Sequence, residues 1–214
     1  MKKSPITLVL LGDIAAGKGT QAKLLVKKFH LSLIEVGAYA RKILAGDSKV
    51  SKRLEKVKLG KLAPSDFIQS FLKRRLARIS KNHGIIVDGG KMPAEARLID
   101  NIFKKQGRKI LVIYLTLPRS EIFKRLSLRY YCEKTGEPLV VQKRRSCPKC
   151  GGPIIKRADD DPRAVRNRID YYDKIYSKTV KFWLGEGVLR KVNGKQSVSE
   201  VTKDIKKIIK DYYG

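Results

Sequence analysis

Two kinds of apolar pattern alternate along the chain. Short apolar runs over residues 6–11, 84–88 and 109–117 read as strands buried on both faces, and 188–192 reads as a late strand. Between them the apolar positions take helical spacing. Ala22, Leu25, Val26 and Phe29 fall on one face of a predicted helix over 21–29, and Phe67, Phe71, Leu72 and Leu76 on one face of a helix over 67–79. Further helices are predicted over 94–103, 119–130, 162–183 and 198–209, the third through Val165, Ile169, Tyr172 and Ile175. Residues 31–36 lead to Gly37 and a helix through Tyr39, Ile43 and Leu44; residues 49–62 are basic with a helical period. Pro64-Ser65-Asp66 reads as a helix start with Ser and Asp at the cap, and 132–157 as a loop or hairpin. Strands alternating with helices predict an α/β fold, a parallel sheet covered on both faces. Ligands of such sheets bind at the carboxyl ends of the strands, where Gly12 and Asp88 both fall.

Composition bounds this picture without changing it. A chain of 214 residues supports one good core with small lobes, and 42% hydrophobic with 32% charged residues suits a soluble globular protein. The longest apolar run, 110–117, is far too short to span a bilayer, and the Met1-Lys2-Lys3 start lacks the cleavage site of a signal peptide. The protein reads as cytoplasmic, without a membrane partner, and as a monomer, since no element shows a spare apolar face. The net charge of +29 favours polyanions, but Lys and Arg are spread along the whole chain rather than gathered with aromatics. A lysine-rich host proteome together with a site that binds many phosphates therefore explains the charge better than a dedicated nucleic-acid surface.

The sharpest chemical signal is Gly12-Asp13-Ile14-Ala15-Ala16-Gly17-Lys18-Gly19-Thr20. It lies between a predicted strand and a predicted helix, the arrangement in which backbone N–H groups and a helix N-terminus surround a phosphate. Lys18 would reach the terminal phosphates, and the Thr20 hydroxyl a phosphate oxygen or Mg2+. A second signal is the cysteine set. Cys132, Cys147 and Cys150 lie in one short segment, which suggests a metal before a disulfide.

In these motifs, nearly end to end, the chain resembles the adenylate kinase family of nucleoside monophosphate kinases. The phosphate loop ends in Gly17-Lys18-Gly19-Thr20-Gln21; Val36-Gly37-Ala38-Tyr39-Ala40-Arg41 and Gly60-Lys61-Leu62-Ala63 resemble the family's monophosphate lobe; Gly84-Ile85-Ile86-Val87-Asp88-Gly89-Gly90 resembles its acidic strand end. Arg125 and Arg129 match the helix before its lid, and Arg157, Asp159, Asp160, Arg166 and Arg168 the segment that closes it. The resemblance implies a P-loop three-layer sandwich with a parallel five-stranded sheet. It implies a core of residues 1–35, 66–127 and 161–214, a helical monophosphate-binding lobe over 36–65, and a lid hairpin over 128–160.

The implied reaction transfers the γ-phosphoryl group of ATP to AMP, with Mg2+. Lys18, Arg129, Arg157, Arg168 and Asp88 would be catalytic, Asp88 by holding Mg2+ through water. ATP would lie on Ala15, Ala16, Gly17, Lys18, Gly19, Thr20, Arg125 and Arg129. AMP would lie on Val36, Gly37, Arg41, Lys61, Leu62, Ala63, Gly89, Lys91, Glu95, Arg157 and Arg168. Arg166 reads as a solvated surface charge. In the lid, Cys132, Cys147 and Cys150 would supply three thiolates for a structural zinc, with Thr135 or Glu133 near the fourth position, or else the lid is metal-free and held by packing and hydrogen bonds.

On the acceptor side four positions depart from the family pattern. Val36 replaces a Thr, Ala38 an Asp, Lys91 stands nearest a missing Arg, and Glu95 stands near a Gln that reads the acceptor base. Lys offers no bidentate fork to a phosphate, and an ionised Glu accepts but cannot donate to adenine N1. In the donor loop Ala15 replaces a Gly, in a position where positive φ suits Ala poorly. Three readings stay open: a divergent adenylate kinase, a kinase with GMP or a pyrimidine monophosphate as acceptor, and a basic nucleotide-binding protein associated with RNA. Retention of the lid arginines argues against the last.

Overall fold

The computed structural model describes residues 4–40, 63–136, 138–140, 146–156 and 162–214. Arg41, Lys61, Leu62 and Arg157 lie outside the described residues, and Arg168 is described only as a position in a helix. The elements in chain order are β1 (Thr7–Gly12), α1 (Lys18–Phe29), β2 (Ser32–Glu35), α2 (Ser65–Ala77), β3 (Ile85–Asp88), α3 (Pro93–Lys105), β4 (Ile110–Thr116) and α4 (Arg119–Ser127). They continue with β5 (Arg129–Cys132), β6 (Pro138–Val140), β7 (Ile154–Ile155), α5 (Pro162–Gly185), β8 (Leu189–Asn193) and α6 (Val198–Tyr213).

Five strands form one parallel sheet in the order β2-β3-β1-β4-β8. Its central strand is apolar throughout because helices cover both faces: α1 packs with α6 on one side, and α3 with α2 and α5 on the other. Leu8, Val9, Leu10 and Leu11 are all fully buried, each contributing roughly 2 kcal/mol of apolar burial. Register sets Leu10 beside Asp88, and Asp88 beside Glu35, so the carboxyl ends of β1, β3 and β2 come out together. The order reverses at β1, where β3 lies on one side and β4 on the other, which opens a crevice at that end.

The amino end is closed. Arg108, only 6% exposed, donates to the side chains of Gln106 and Thr7 and to the carbonyls of His83 and Ser80, at 2.7–3.1 Å. Burial holds its pKa below the usual guanidinium range. The Tyr213 hydroxyl accepts from the Thr7 N–H and lies 2.9 and 2.7 Å from the carbonyls of Thr7 and Lys109.

Several element boundaries differ from the pattern reading by one to four residues, and three of the differences bear on the site. The helix predicted over 119–130 stops at Ser127, with Leu128 as its C-cap, and Arg129 opens strand β5. Helix α1 starts at Lys18, three residues early, because Gly17 turns the chain directly from loop into helix. Pro64, not Ser65 or Asp66, holds the N-cap of α2, with no side-chain cap bond. Within the segment read as a loop or hairpin, β5 lies between β6 and β7 in a small antiparallel sheet.

Candidate active site

The site is built from the loop between β1 and α1 outward. Gly17 caps α1 at φ 90, in the left-handed region that glycine enters without penalty. It offers no capping side chain, and the first turn holds no acidic residue. Helix α6 shows the opposite design, since Ser197 and Glu200 cap its N-terminus reciprocally. The opening turn of α1 thus keeps its N–H groups and its positive dipole end for an anion. Lys18 Nζ donates to the carbonyls of Gly12 and Asp13 at 2.7 and 2.8 Å, which holds the ammonium across the loop. Ala15 adopts φ 59. The loop keeps a left-handed turn although the residue has a Cβ, at a cost of about 1 kcal/mol.

Residues far away in sequence fix this loop, and of them the sequence singled out Arg125 alone. The Gly12 N–H donates to the hydroxyl of Tyr176, a buried residue of α5, at 2.6 Å. Asp13, an acid where phosphates should bind, is occupied on both oxygens: Oδ1 accepts from the Tyr114 hydroxyl at 2.7 Å and Oδ2 from the Leu117 N–H at 2.6 Å. Its charge faces β4 rather than the loop mouth. Arg125 on α4 donates to the carbonyls of Ala15 and Lys195, at 3.4 and 3.3 Å, and so joins the phosphate loop to the turn after β8. Gly194 in that turn hydrogen-bonds Thr116 at the end of β4. The Asn193-Gly194 pair was the available signal for this turn.

At the end of β3, Asp88 is half-buried. Gly89 follows, and a Cβ there would meet Val36 Cβ at 2.4 Å. Val36, 8% exposed, packs against the turn, so its isopropyl group takes space where a Thr would present a hydroxyl. Residues 36–40 are helical, and Gly37 is exposed. Ala63 is half-buried and packs on the core. The Lys91 carbonyl accepts from the buried Thr179 hydroxyl of α5 at 2.7 Å.

Glu95 is 3% exposed at the third position of α3, where its carboxylate accepts from the Met92 N–H at 3.2 Å. Burial pushes its pKa up to about 7, against the opposing effects of hydrogen bonds from the backbone of Met92 and Lys91, the Lys91 charge and the Ser65 hydroxyl.

The three cysteines converge. The sulfurs of Cys132, Cys147 and Cys150 all lie within 4.8 Å of one another, with Cys132 and Cys150 3.4 Å apart. Cys132 ends β5, while Cys147 and Cys150 lie in a tight turn whose Gly151 N–H returns to the Cys147 carbonyl. The Thr135 N–H donates to the Cys132 sulfur at 3.4 Å, and hydrogen bonding from the Thr135 side chain is the main cause that draws the Cys132 thiol down to about 6. Glu133 is exposed and does not join the cluster. Arg129, the first residue of β5, lies over the Tyr131 ring at 5.5 Å, and Arg166 is exposed.

Among the described residues, then, Lys18 and Arg125 gather on the loop after β1, Val36 and Gly89 meet at the end of β3 with Lys91 and Glu95 just beyond it in the chain, and the cysteines form a separate cluster. The family model for adenylate kinase matches residues 10–188. An adenylate kinase of Lactobacillus johnsonii is 32% identical over 95% of this chain and 98% of its own length. One from Thermosipho africanus is 32% identical over 96% and 100%, and one from Archaeoglobus fulgidus 30% over 95% and 98%. Three such full-length likenesses, with a family match that starts inside β1 and runs past α5, settle the lineage: the chain belongs to the adenylate kinase family.

Proposed function

We infer that the chain is an adenylate kinase, a phosphotransferase that converts ATP and AMP reversibly into two ADP. The observation that carries this reading is the uncapped, glycine-led start of α1, with Lys18 held across it and Arg125 tied to Ala15 beside it. An oxygen of the AMP phosphate attacks the γ-phosphorus in line while the bond to the bridging β-oxygen breaks. Such a step needs positioning and positive charge more than covalent help. Ala15, Ala16, Gly17, Lys18, Gly19 and Thr20 wrap the donor phosphates, and Arg125 lies against the donor base. Lys18, Arg129, Arg157 and Arg168 surround the transferring group. The Asp88 carboxylate and the Thr20 hydroxyl are hard oxygen donors suited to Mg2+, which supplies charge neutralisation on the phosphates when bound. Residues 36–65 serve as the acceptor lobe and 128–160 as a lid that excludes water. Val36, Gly37, Arg41, Lys61, Leu62, Ala63, Gly89, Lys91 and Glu95 receive AMP, with Arg157 and Arg168 completing its phosphate site. The protein acts in the cytoplasm as a monomer.

Glu95 bears on the choice of acceptor. With its pKa pushed up to about 7, a large share of the molecules carry the neutral acid at neutral pH. A neutral carboxylic acid has one O–H donor and one carbonyl acceptor, the pair that adenine N1 and its amino group require. The ionised form, an acceptor only, suits a guanine edge. This observation favours AMP below about pH 7 and keeps GMP as the second reading above it. In the lid, three converging sulfurs with a Thr135 N–H on one of them suit a zinc ion that ties β5 to the following turn without touching the nucleotides.

A coupled assay of ATP against AMP, GMP, CMP and UMP tests the reading. Turnover is expected with AMP. Turnover with another monophosphate alone would move the acceptor, and none with any, in folded protein, would overturn the kinase assignment. Metal analysis of protein purified without chelator is expected to find zinc near one per chain.

A further inference from the structure

One groove stands apart from the nucleotide side. It runs between α1 and α6, has a volume of about 580 Å³, and is lined by Leu24, Val198, Ser199, Thr202, Lys203 and Lys206. Its walls are fixed to each other: Gln21 Nε2 donates to the Val198 carbonyl at 3.1 Å, and the Thr202 hydroxyl donates to Gln21 Oε1 at 2.8 Å. Two of its lining residues are among the most exposed aliphatic side chains of the described residues, Leu24 at 39% and Val198 at 54%.

The charges around it are sorted. Helix α1 contains no acidic residue and exposes Lys23, Lys27 and Lys28. On α6, Ser199, Lys203, Lys206 and Lys210 recur at helical spacing along one stripe, next to Thr202 on the groove side. Glu200, Asp204 and Asp211 fall on a separate stripe, turned about 100° further from the groove. The groove therefore carries two aliphatic side chains beside a lysine border, with Glu200 the one acid of α1 and α6 that the structure pairs electrostatically with a border lysine, Lys203.

From this arrangement we propose that the α1–α6 groove docks an acidic, amphipathic segment of a partner protein, with aliphatic side chains of the partner in the channel and its carboxylates along the lysine border. Charge complementarity selects the occupant. A second copy of the chain brings another +29 and is repelled. A single-stranded nucleic acid is best held by aromatic platforms or arginine forks, and the lining residues include neither. An anionic membrane would answer to the same lysines, and the vesicle arm of the test separates it from a protein segment. The fit is that of a helix in a groove, with acidic residues around an apolar stripe.

The test uses the full chain and a fluorescent synthetic helix of about 20 residues with Leu at helical spacing and Glu elsewhere. Anisotropy at physiological salt is compared with a polyglutamate of equal charge, a single-stranded RNA and vesicles containing phosphatidylglycerol. The amphipathic peptide is expected to bind at least about tenfold more tightly than polyglutamate. Lys203→Glu with Lys206→Glu, and separately Leu24→Asp, should each weaken that binding about tenfold. Lys73→Glu with Lys81→Glu, an equal charge reversal on the α2 side of the sheet, should change it less than about twofold, and ATP–AMP turnover should persist in all three variants. Equal binding of polyglutamate or RNA, equal weakening by the control pair, or vesicle binding that depends on Leu24 in preference to the peptide would overturn the proposal.

Discussion

At the amino end of the central sheet, Arg108 and Tyr213 spend their polar atoms on backbone and side-chain partners within the fold. At the carboxyl end, Gly17 leaves α1 uncapped, Ala15 keeps a positive φ, and Lys18 borrows two loop carbonyls. The same strands join the two ends, so the difference is not one of scaffold. The closed end gathers satisfied donors around one buried cation and yields stability. The open end leaves the first turn of α1 without a capping side chain, the arrangement that suits an anion. Substitutions at the two ends should therefore separate turnover from stability.

The largest effect belongs to the open end. Lys18→Met should lower kcat/KM about a thousandfold while leaving the denaturation midpoint almost unchanged, measured by coupled assay and urea unfolding on the same preparation. The reverse is expected of Arg108→Met. It strands the carbonyls of Ser80 and His83 and should cost about 3 kcal/mol in unfolding free energy, with activity per folded molecule retained.

Glu95 lies at the open end and yet is buried, so it should couple the two readouts. Its pKa is about 7 in the folded protein against 4.5 for the ordinary group, so the folded state holds a proton that the unfolded state has released between those values. The stability conferred by Glu95 is thus fully present below pH 4.5 and is lost as pH rises to about 7, on the order of 3 kcal/mol in all. Glu95→Gln should flatten that part of the stability profile and remove the rise in KM for AMP above neutral pH.

Two smaller changes sharpen the contrast. Tyr176→Phe leaves the Gly12 N–H without its buried acceptor and should cost about 1–2 kcal/mol with reduced ATP affinity. Ala15→Gly should raise stability by roughly 0.5–1 kcal/mol in thermal unfolding, by relieving the left-handed turn.

How much of this was readable in advance follows the range of the interactions. Pattern located the strands because Leu8–Leu11, Ile85–Val87 and the run over 110–113 must be apolar to lie between two layers of helix. The phosphate loop was readable because its chemistry is local: nine consecutive residues carry the turn, the ammonium and the helix start. Ala15 was legible as a misfit for the same reason, and its φ shows that the surrounding loop overrules the residue. Tyr176, Asp13 and Arg108 were not readable. Each acts on a partner about a hundred or more residues away, or through several carbonyls at once, and nothing in their neighbourhood in sequence marks the partner. Arg129 looked helical because the spacing from Arg125 continues the period, and a turn at Leu128 moved it into a strand. The cysteine cluster was legible as a set, since its spacing fits a knuckle; that Glu133 stands outside it was not.

The tyrosine contacts on β1 also order events during synthesis. Gly12 is held by Tyr176, 164 residues on, and Thr7 by Tyr213, 206 residues on. The strand at the centre of the sheet is also the first strand of the described fold to be translated. Tyr176 emerges only after the three strands of the small antiparallel sheet have been made, and Tyr213 only after β8. A nascent chain can gather β1, β3 and β4 early, but the phosphate loop stays unfastened until α5 arrives, and the amino end until α6 does. Ribosome-bound fragments that stop before α5 should therefore bind no ATP, however complete the loop is in sequence.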